Sequence, residues 1–242
     1  MIPTVTAAQM REVDRVMMEE LHIELLQMME NAGRALAEHA RRHLGGDARG
    51  RRVIVLVGRG GNGGGGLAAA RRLSIWGAQV AVVLAQRREE MRGVPAQQLA
   101  IIERLGVDSG ADHDALPSAE LLLDALVGYS LRGAPRGRVA ELIRAANASR
   151  VPIIALDIPS GLDPDTGGPR DPTIHATSTL TLALPKTGLL APHARGWVGD
   201  LYLADISVPD VVYRGLGITV GPIFARGDIV PVGAKAGAPD EG

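Results

Sequence analysis

Seven glycines fall within nine positions at Gly58-Arg59-Gly60-Gly61-Asn62-Gly63-Gly64-Gly65-Gly66. Glycine admits positive φ and lets a ligand approach the backbone closely. Where such a segment runs into a helix, the free N–H groups of the first turn can receive an anion. Gly58, Gly60 and Gly63 also match the dinucleotide fingerprint, which alone is a weak signal. A nicotinamide dehydrogenase would place an acid at the end of the next strand for the ribose hydroxyls. That strand ends Ala85-Gln86-Arg87-Arg88. An oxidoreductase reading therefore survives only for a cofactor with a 2′-phosphate. No Gly-Lys-Ser/Thr follows, which argues against a P-loop.

Two more segments carry chemistry. Asp124 lies in the apolar run Leu121 to Val127, and burying its carboxylate requires donors or a cation. Gly128, Tyr129, Ser130, Leu131, Arg132, Gly133 and Ala134 then offer backbone amides, two hydroxyls and a guanidinium, a set that suits a pyrophosphate. Arg132 reads equally well as a solvated surface arginine. Asp157 closes the run Ile153 to Leu156 just before Pro159-Ser160-Gly161. It is either a turn-capping aspartate or a ligand-facing one. Asn62, Asp124, Asp157 and Ser160 all fall at the same edge of the expected sheet. One or two carboxylates with neutral oxygens suit a monovalent cation better than a tight magnesium cage.

The elements that must position these groups alternate. Thr6 to Gln9 reads as a capping box that opens a helix to about Glu20. Leu25, Met29, Ala32, Leu36 and Ala40 give the next helix one buried stripe, ended by Gly45-Gly46. Apolar runs at Val53–Val57, Gln79–Ala85, Leu121–Val127, Ile153–Leu156, Leu180–Leu184 and Leu201–Ala204 read as strands, the last being final. Helices over Leu67–Ile75, Ala96–Leu105 and Val139–Ala146 separate the earlier ones. The expectation is a three-layer α/β/α, Rossmann-like domain with a mostly parallel sheet. One domain over 1–231 and a loose tail over 232–242 complete the organisation.

Composition narrows the classes. The 242 residues include no cysteine, so disulfides and thiolate chemistry are out. A formal net charge of -1 gives no electrostatic footprint for nucleic acid. No apolar run approaches the roughly 20 residues of a membrane span, and the polar N-terminus is no signal peptide. A cytoplasmic protein is expected, with no nucleic-acid or membrane partner. The six histidines show no metal-ligand spacing, and no Gly-x-Ser-x-Gly elbow occurs. Lys186 and Lys235 are the only lysines in an arginine-rich chain, which singles out Lys186.

Several motifs then occur in order. They are Met28-Met29-Glu30-Asn31-Ala32-Gly33, Asp157-Ile158-Pro159-Ser160-Gly161-Leu162, Leu184-Pro185-Lys186-Thr187-Gly188-Leu189-Leu190, and Gly199-Asp200-Leu201 through Asp205-Ile206. From about residue 6 to 212 the chain resembles the NAD(P)H-hydrate epimerase family, the YjeF N-terminal domain. The resemblance implies an isomerase acting on NADH or NADPH hydrated at ring carbon 6, interconverting R and S forms. It implies a stand-alone form, a separate NAD(P)H-hydrate dehydratase as functional partner, and a potassium ion held by Asn62, Asp124 and Ser160. Substrate would be held by Gly61, Asn62, Gly63, Gly64 and Gly65, by Gly128 to Ala134, and by Asp157, which would act as general acid and base. A homodimer is the expected assembly. The family's loop usually reads Gly-Asn-Asn-Gly-Gly-Asp-Gly; here Gly61 and Gly65 replace its first asparagine and its aspartate, while Asn62 stays. A non-catalytic nucleotide-binding module on the same fold is the alternative.

Overall fold

The structure is a computed structural model that describes residues 2–110 and 116–233. His113, Lys235 and all but the first two residues of the expected tail lie outside the described residues. The chain runs α1 (Ala7–Arg15), α2 (Leu25–His43), β1 (Arg52–Val57), α3 (Gly61–Ile75), β2 (Gln79–Leu84), α4 (Gly93–Arg104), β3 (Asp108–Gly110) and β4 (Leu121–Ala125). It continues α5 (Gly137–Ser149), β5 (Ile153–Leu156), β6 (Ser178–Leu182), α6 (Arg195–Val198), β7 (Asp200–Ala204), α7 (Asp210–Gly215) and β8 (Ile229–Pro231).

The strands form one sheet in the order β3-β2-β1-β4-β5-β6-β7-β8. Each neighbouring pair is parallel except β7–β8. Strand β7 is therefore not the last. The edge strands β3 and β8 have three residues each, too few to show a period in sequence.

Alternation along β1 builds the layers. Val53, Val55 and Val57 pack with Leu36 and Ala40 of α2, Leu67 and Leu73 of α3 and Ile102 of α4. Ile54 and Leu56 face the other way, onto Leu142, Ile143 and Ala146 of α5. The sheet is thus covered on both faces. Among the described residues no helix is long and apolar enough to cross a membrane.

The N-terminus is tied to the far end of the chain. The Val5 N–H donates to the Pro185 carbonyl at 2.9 Å, and the Thr187 N–H donates to the Val5 carbonyl at 3.0 Å. The expected capping box is present, with Gln9 N–H donating to Thr6 Oγ1 at 3.2 Å and Thr6 N–H to Gln9 Oε1 at 2.9 Å. Helix α1 is shorter than expected, because Val16–Glu20 continues it as one π-helical turn.

The glycine segment departs from the sequence reading. Helix α3 begins at Gly61, not at Leu67, and none of Gly58 and Gly60 to Gly66 has positive φ. These glycines provide closeness. A Cβ on Gly64 would stand 2.3 Å from Met29 Sδ, and one on Gly66 2.5 Å from Ala125 Cβ. On α2, a Cβ at Gly33 would stand 2.4 Å from Ala68 Cβ. Small residues let α2, α3 and the sheet approach within normal packing distance only because the side chains are absent.

The strand order reverses between β1 and β4, so the connections after these strands leave toward opposite faces. Such a switch point opens a crevice beyond the carboxyl ends of the strands. The loops after β1 and β4 are the glycine turn and the Gly128 to Ala134 segment.

Candidate functional site

A cleft of about 900 Å³ occupies that crevice, within the usual range for a small-molecule site. Residues 58–62 form one wall, residues 126–136 another, and Asp157, Lys186 and Asp14 reach in from three further elements. All of Gly128, Tyr129, Ser130, Leu131, Arg132, Gly133 and Ala134 border it, as do Gly61 and Asn62.

Asp157 is held in an unusual backbone state. It is 4% exposed with φ of 67°. Its N–H donates to the Leu180 carbonyl at 2.8 Å, and the Ile158 N–H closes onto the Leu156 carbonyl at 2.8 Å. This is a γ-turn of the strained, positive-φ kind, with Asp157 at its centre. Strain of this type costs about 1–3 kcal/mol and persists where the surroundings over-determine it.

The two oxygens of Asp157 have different surroundings. Oδ1 accepts from the buried Lys186 ammonium, and from Thr181 Oγ1 and the Leu182 N–H, each at 3.4 Å. Oδ2 lies beside Gly128, where a Cβ would stand 3.3 Å from it. With no side chain at 128, that residue does not cover Oδ2, and Gly128 and Asp157 both border the cleft. Lys186 is 1% exposed; its Nζ also donates to the Leu182 carbonyl at 2.9 Å and lies 5.8 Å from the centroid of the Tyr129 ring. The Tyr129 hydroxyl donates to Asp14 Oδ2. Burial pushes the Asp14 carboxyl above the usual carboxylate range, with the Tyr129 bond and the Lys186 charge opposing. Burial, with the nearby Asp14 charge, likewise pushes the Tyr129 phenol up.

Beneath this lies the Asp124–Ser160 pair. Asp124 is fully buried, and Ser160 donates to it twice, from its N–H at 2.8 Å and from Oγ at 2.7 Å. The Leu126 N–H adds a third bond at 3.2 Å. Ser160 Oγ accepts from the Val127 N–H at 2.9 Å. Burial raises the Asp124 pKa to about 6, against the pull of these donors. Asn62 sits at the start of α3, and its Nδ2 donates to the Leu156 carbonyl at 2.9 Å. That bond turns Oδ1 toward Gly128, where a Cβ would meet it at 3.4 Å.

Gly63, Gly64 and Gly65 are placed differently from the expectation. They are buried in the packing of α3 and do not border the cleft. A Cβ on Gly63 would stand 1.8 Å from the Gly58 carbonyl oxygen, and one on Gly65 3.0 Å from Leu156 Cδ2. Arg132 is exposed at the cleft edge. The arginines at the end of β2 are engaged elsewhere, Arg87 with Glu90 at 3.5 Å and Arg88 with Glu103.

Three residues of the site were outside the sequence-derived set. Lys186 carried a signal, being the lone lysine of its region, but its partner is far away in sequence. Asp14 looks like one more charge on an amphipathic helix. Arg170 braces the cleft loop: it donates to the Gly133 carbonyl at 2.6 Å and pairs with Asp163 at 2.6 Å.

Residues 25–188 match the family YjeF-related protein N-terminus. The chain is 46% identical over 221 residues to the NAD(P)H-hydrate epimerase of Dehalogenimonas lykanthroporepellens, covering 90% of this chain and 87% of that one. It is 36% identical over 222 residues to the NAD(P)H-hydrate epimerase of Rhodopirellula baltica, covering 90% and 89%. Against the bifunctional NAD(P)H-hydrate repair enzyme Nnr of Moorella thermoacetica, identity is 39% over 214 residues, spanning 85% of this chain but 40% of that protein. The crystal structure of yeast ynu0 superposes with a TM-score of 0.83 at 24% identity, over 96% of this chain and 100% of that one, which shows a shared fold.

Proposed function

The chain belongs to the family of YjeF-related protein N-termini, and from that premise we propose how its cleft performs epimerisation. It is an NAD(P)H-hydrate epimerase, an isomerase of nicotinamide cofactor repair. The alternative of a non-catalytic module is not favoured, since these stand-alone relatives are named as epimerases.

The observation that carries the mechanism is the divided Asp157 carboxylate. Oδ1 is anchored by Lys186, and Oδ2 lies beside Gly128 at the cleft. The substrate carbon bears a hydroxyl beside a ring nitrogen whose lone pair helps expel it. Water returning to the opposite face inverts the centre. Asp157 Oδ2 moves a proton in this exchange, as general acid and base. The N–H groups at the start of α3 and the Gly128 to Ala134 backbone suit the pyrophosphate. Chiral chromatography of the hydrate epimers tests the reading. The protein should speed their interconversion well above the spontaneous rate, and an unchanged rate would sink it.

We propose that Asn62 Oδ1, the Asp124 carboxylate and Ser160 Oγ together hold potassium, since oxygen donors carrying a single charge suit a monovalent cation. Asp124 is otherwise held by neutral donors only, so a cation would relieve its burial. Potassium there would fix the Ser160 turn that carries Asp157. Thermal melting in potassium chloride against choline chloride tests this, since a ligand of the folded state raises the midpoint.

We propose that it works in the cytoplasm beside a separate dehydratase, a reading supported by its similarity to part of a bifunctional NAD(P)H-hydrate repair enzyme. A homodimer is the proposed assembly, with exposed Met18, Leu21 and Leu26 offering an apolar surface, and sedimentation velocity reads it.

A further inference from the structure

Inversion at a carbinol carbon requires two proton transfers. One proton goes to the departing oxygen, and one comes from the water that arrives on the other face. Asp157 Oδ2 is one proton-handling atom. We propose that Asp14 is the second proton-carrying carboxyl of the cleft, positioned by Tyr129. This rests on the epimerase reading and adds a residue to it.

Asp14 reaches the site because the Val5 strap fastens α1 beside Lys186. It borders the same cavity as Asp157 and Lys186. Tyr129 donates to its Oδ2. The groups that act on it are Tyr129 from the loop after β4, Lys186 from the turn after β6, and Asp157 from the end of β5. Arg11 acts on Tyr129. Arg15, the next residue along α1, is committed to Glu12, Glu19 and Glu20.

The two carboxyls thus have unlike environments in one cleft. Asp157 is ion-paired to an ammonium, while Asp14 is held by a neutral phenol. Burial favours the protonated form of Asp14. Unlike surroundings for two carboxyls in one cleft divide the acid from the base.

The step balances with water alone. Asp14 gives its proton to the hydroxyl oxygen, and the C–O bond breaks with its electron pair leaving on oxygen as water. The ring-nitrogen lone pair forms the N=C bond. Water then adds from the opposite face, that electron pair returns to nitrogen, and Asp157 Oδ2 takes the released proton. Solvent carries the proton from Asp157 back to Asp14. The reverse epimerisation exchanges the two roles.

The test is the pH–rate profile of epimer interconversion for wild type, Asp14→Asn and Tyr129→Phe, each checked for folding by thermal melt. Wild type should give a bell. Asp14→Asn should lose at least about 10²-fold and the alkaline limb with it. Tyr129→Phe keeps the carboxyl but loses the bond that lowers its pKa, so its alkaline limb should move to higher pH. Asp14→Asn at the wild-type rate, or slower with both limbs unmoved, overturns the proposal. If Asp14→Asn does not fold, an unmoved limb in Tyr129→Phe overturns it. An inactive wild type sinks the epimerase reading itself, a distinct result.

Discussion

Lys186 Nζ donates to Asp157 Oδ1 with the two side chains only 1% and 5% exposed. Both charges lose their water, so the pair adds little net stability although it fixes geometry. It holds one Asp157 oxygen and leaves the other beside Gly128. Removing one partner leaves the other charge buried. Lys186→Met should therefore cost about 3–5 kcal/mol in urea denaturation. It should also reduce epimerisation to the spontaneous rate. Asparagine tolerates positive φ, so Asp157→Asn keeps the turn while ending catalysis. The double variant should recover much of the stability lost by Lys186→Met and none of the activity. Equal stabilities for Lys186→Met and the double variant would mean that the pair is not coupled.

Gly65→Asp would restore the loop usual in the resembled family, and here it should destabilise. A Cβ at 65 already stands 3.0 Å from Leu156 Cδ2 and 3.6 Å from Ala32 Cβ. The carboxylate beyond it would enter the contact between α2, α3 and β5. Overpacking of this kind costs about 1–3 kcal/mol, before the cost of the buried charge. Leu156→Val in the same chain should recover part of the loss by making room. A melting midpoint for Gly65→Asp at or above the wild-type value would refute this.

The central sheet was legible because strands buried on both faces appear as unbroken apolar runs, as at Val53 to Val57. Asp124, Asp157 and Ser160 were legible as a set because parallel neighbours deliver their carboxyl ends to one edge. The purpose of the glycines was not. Close helix packing and positive φ demand the same residue, and only the fold says which applies. Lys186 was visible as an oddity, but its partner lies 29 residues away on another strand end. Asp14 was hidden because nothing in its own helix distinguishes it from a solvated charge. Its place depends on the strap between Val5 and Pro185.

Arg132 and Arg170 should separate contact from bracing. Arg132 stands exposed at the cleft edge, and Arg170 holds the Gly133 carbonyl from behind. If Arg132 bonds a phosphate directly, Arg132→Ala should weaken dinucleotide binding by about 1.5–3 kcal/mol. That loss should shrink with added salt. Arg170→Met should weaken binding through a looser loop, with little change in salt dependence. Calorimetry with NADPH reads both. Unchanged affinity in Arg132→Ala would return that residue to the solvated surface.

His39 makes folding stability pH-dependent, away from the cleft. It is 7% exposed on α2, 2.9 Å from Ser178 Oγ, with its ring centroid 4.6 Å from that of Tyr202 and tilted by 53° to it. Burial, with His43 and Arg42 adding repulsion, lowers its pKa to about 4 from 6.5. The folded state thus resists a proton that the unfolded chain accepts. Between these values the unfolded state binds more protons, so stability rises with pH there. The contribution is fully present above pH 6.5, is lost as pH falls toward 4, and amounts to about 3 kcal/mol at most. Other carboxyls titrate in the same window, so the difference from a variant is the informative quantity. His39→Gln cannot charge. Its stability deficit against wild type should be largest at pH 7 and shrink steadily to pH 4 in urea denaturation. A deficit that stays flat over that range would show that His39 gains its proton as readily folded as unfolded.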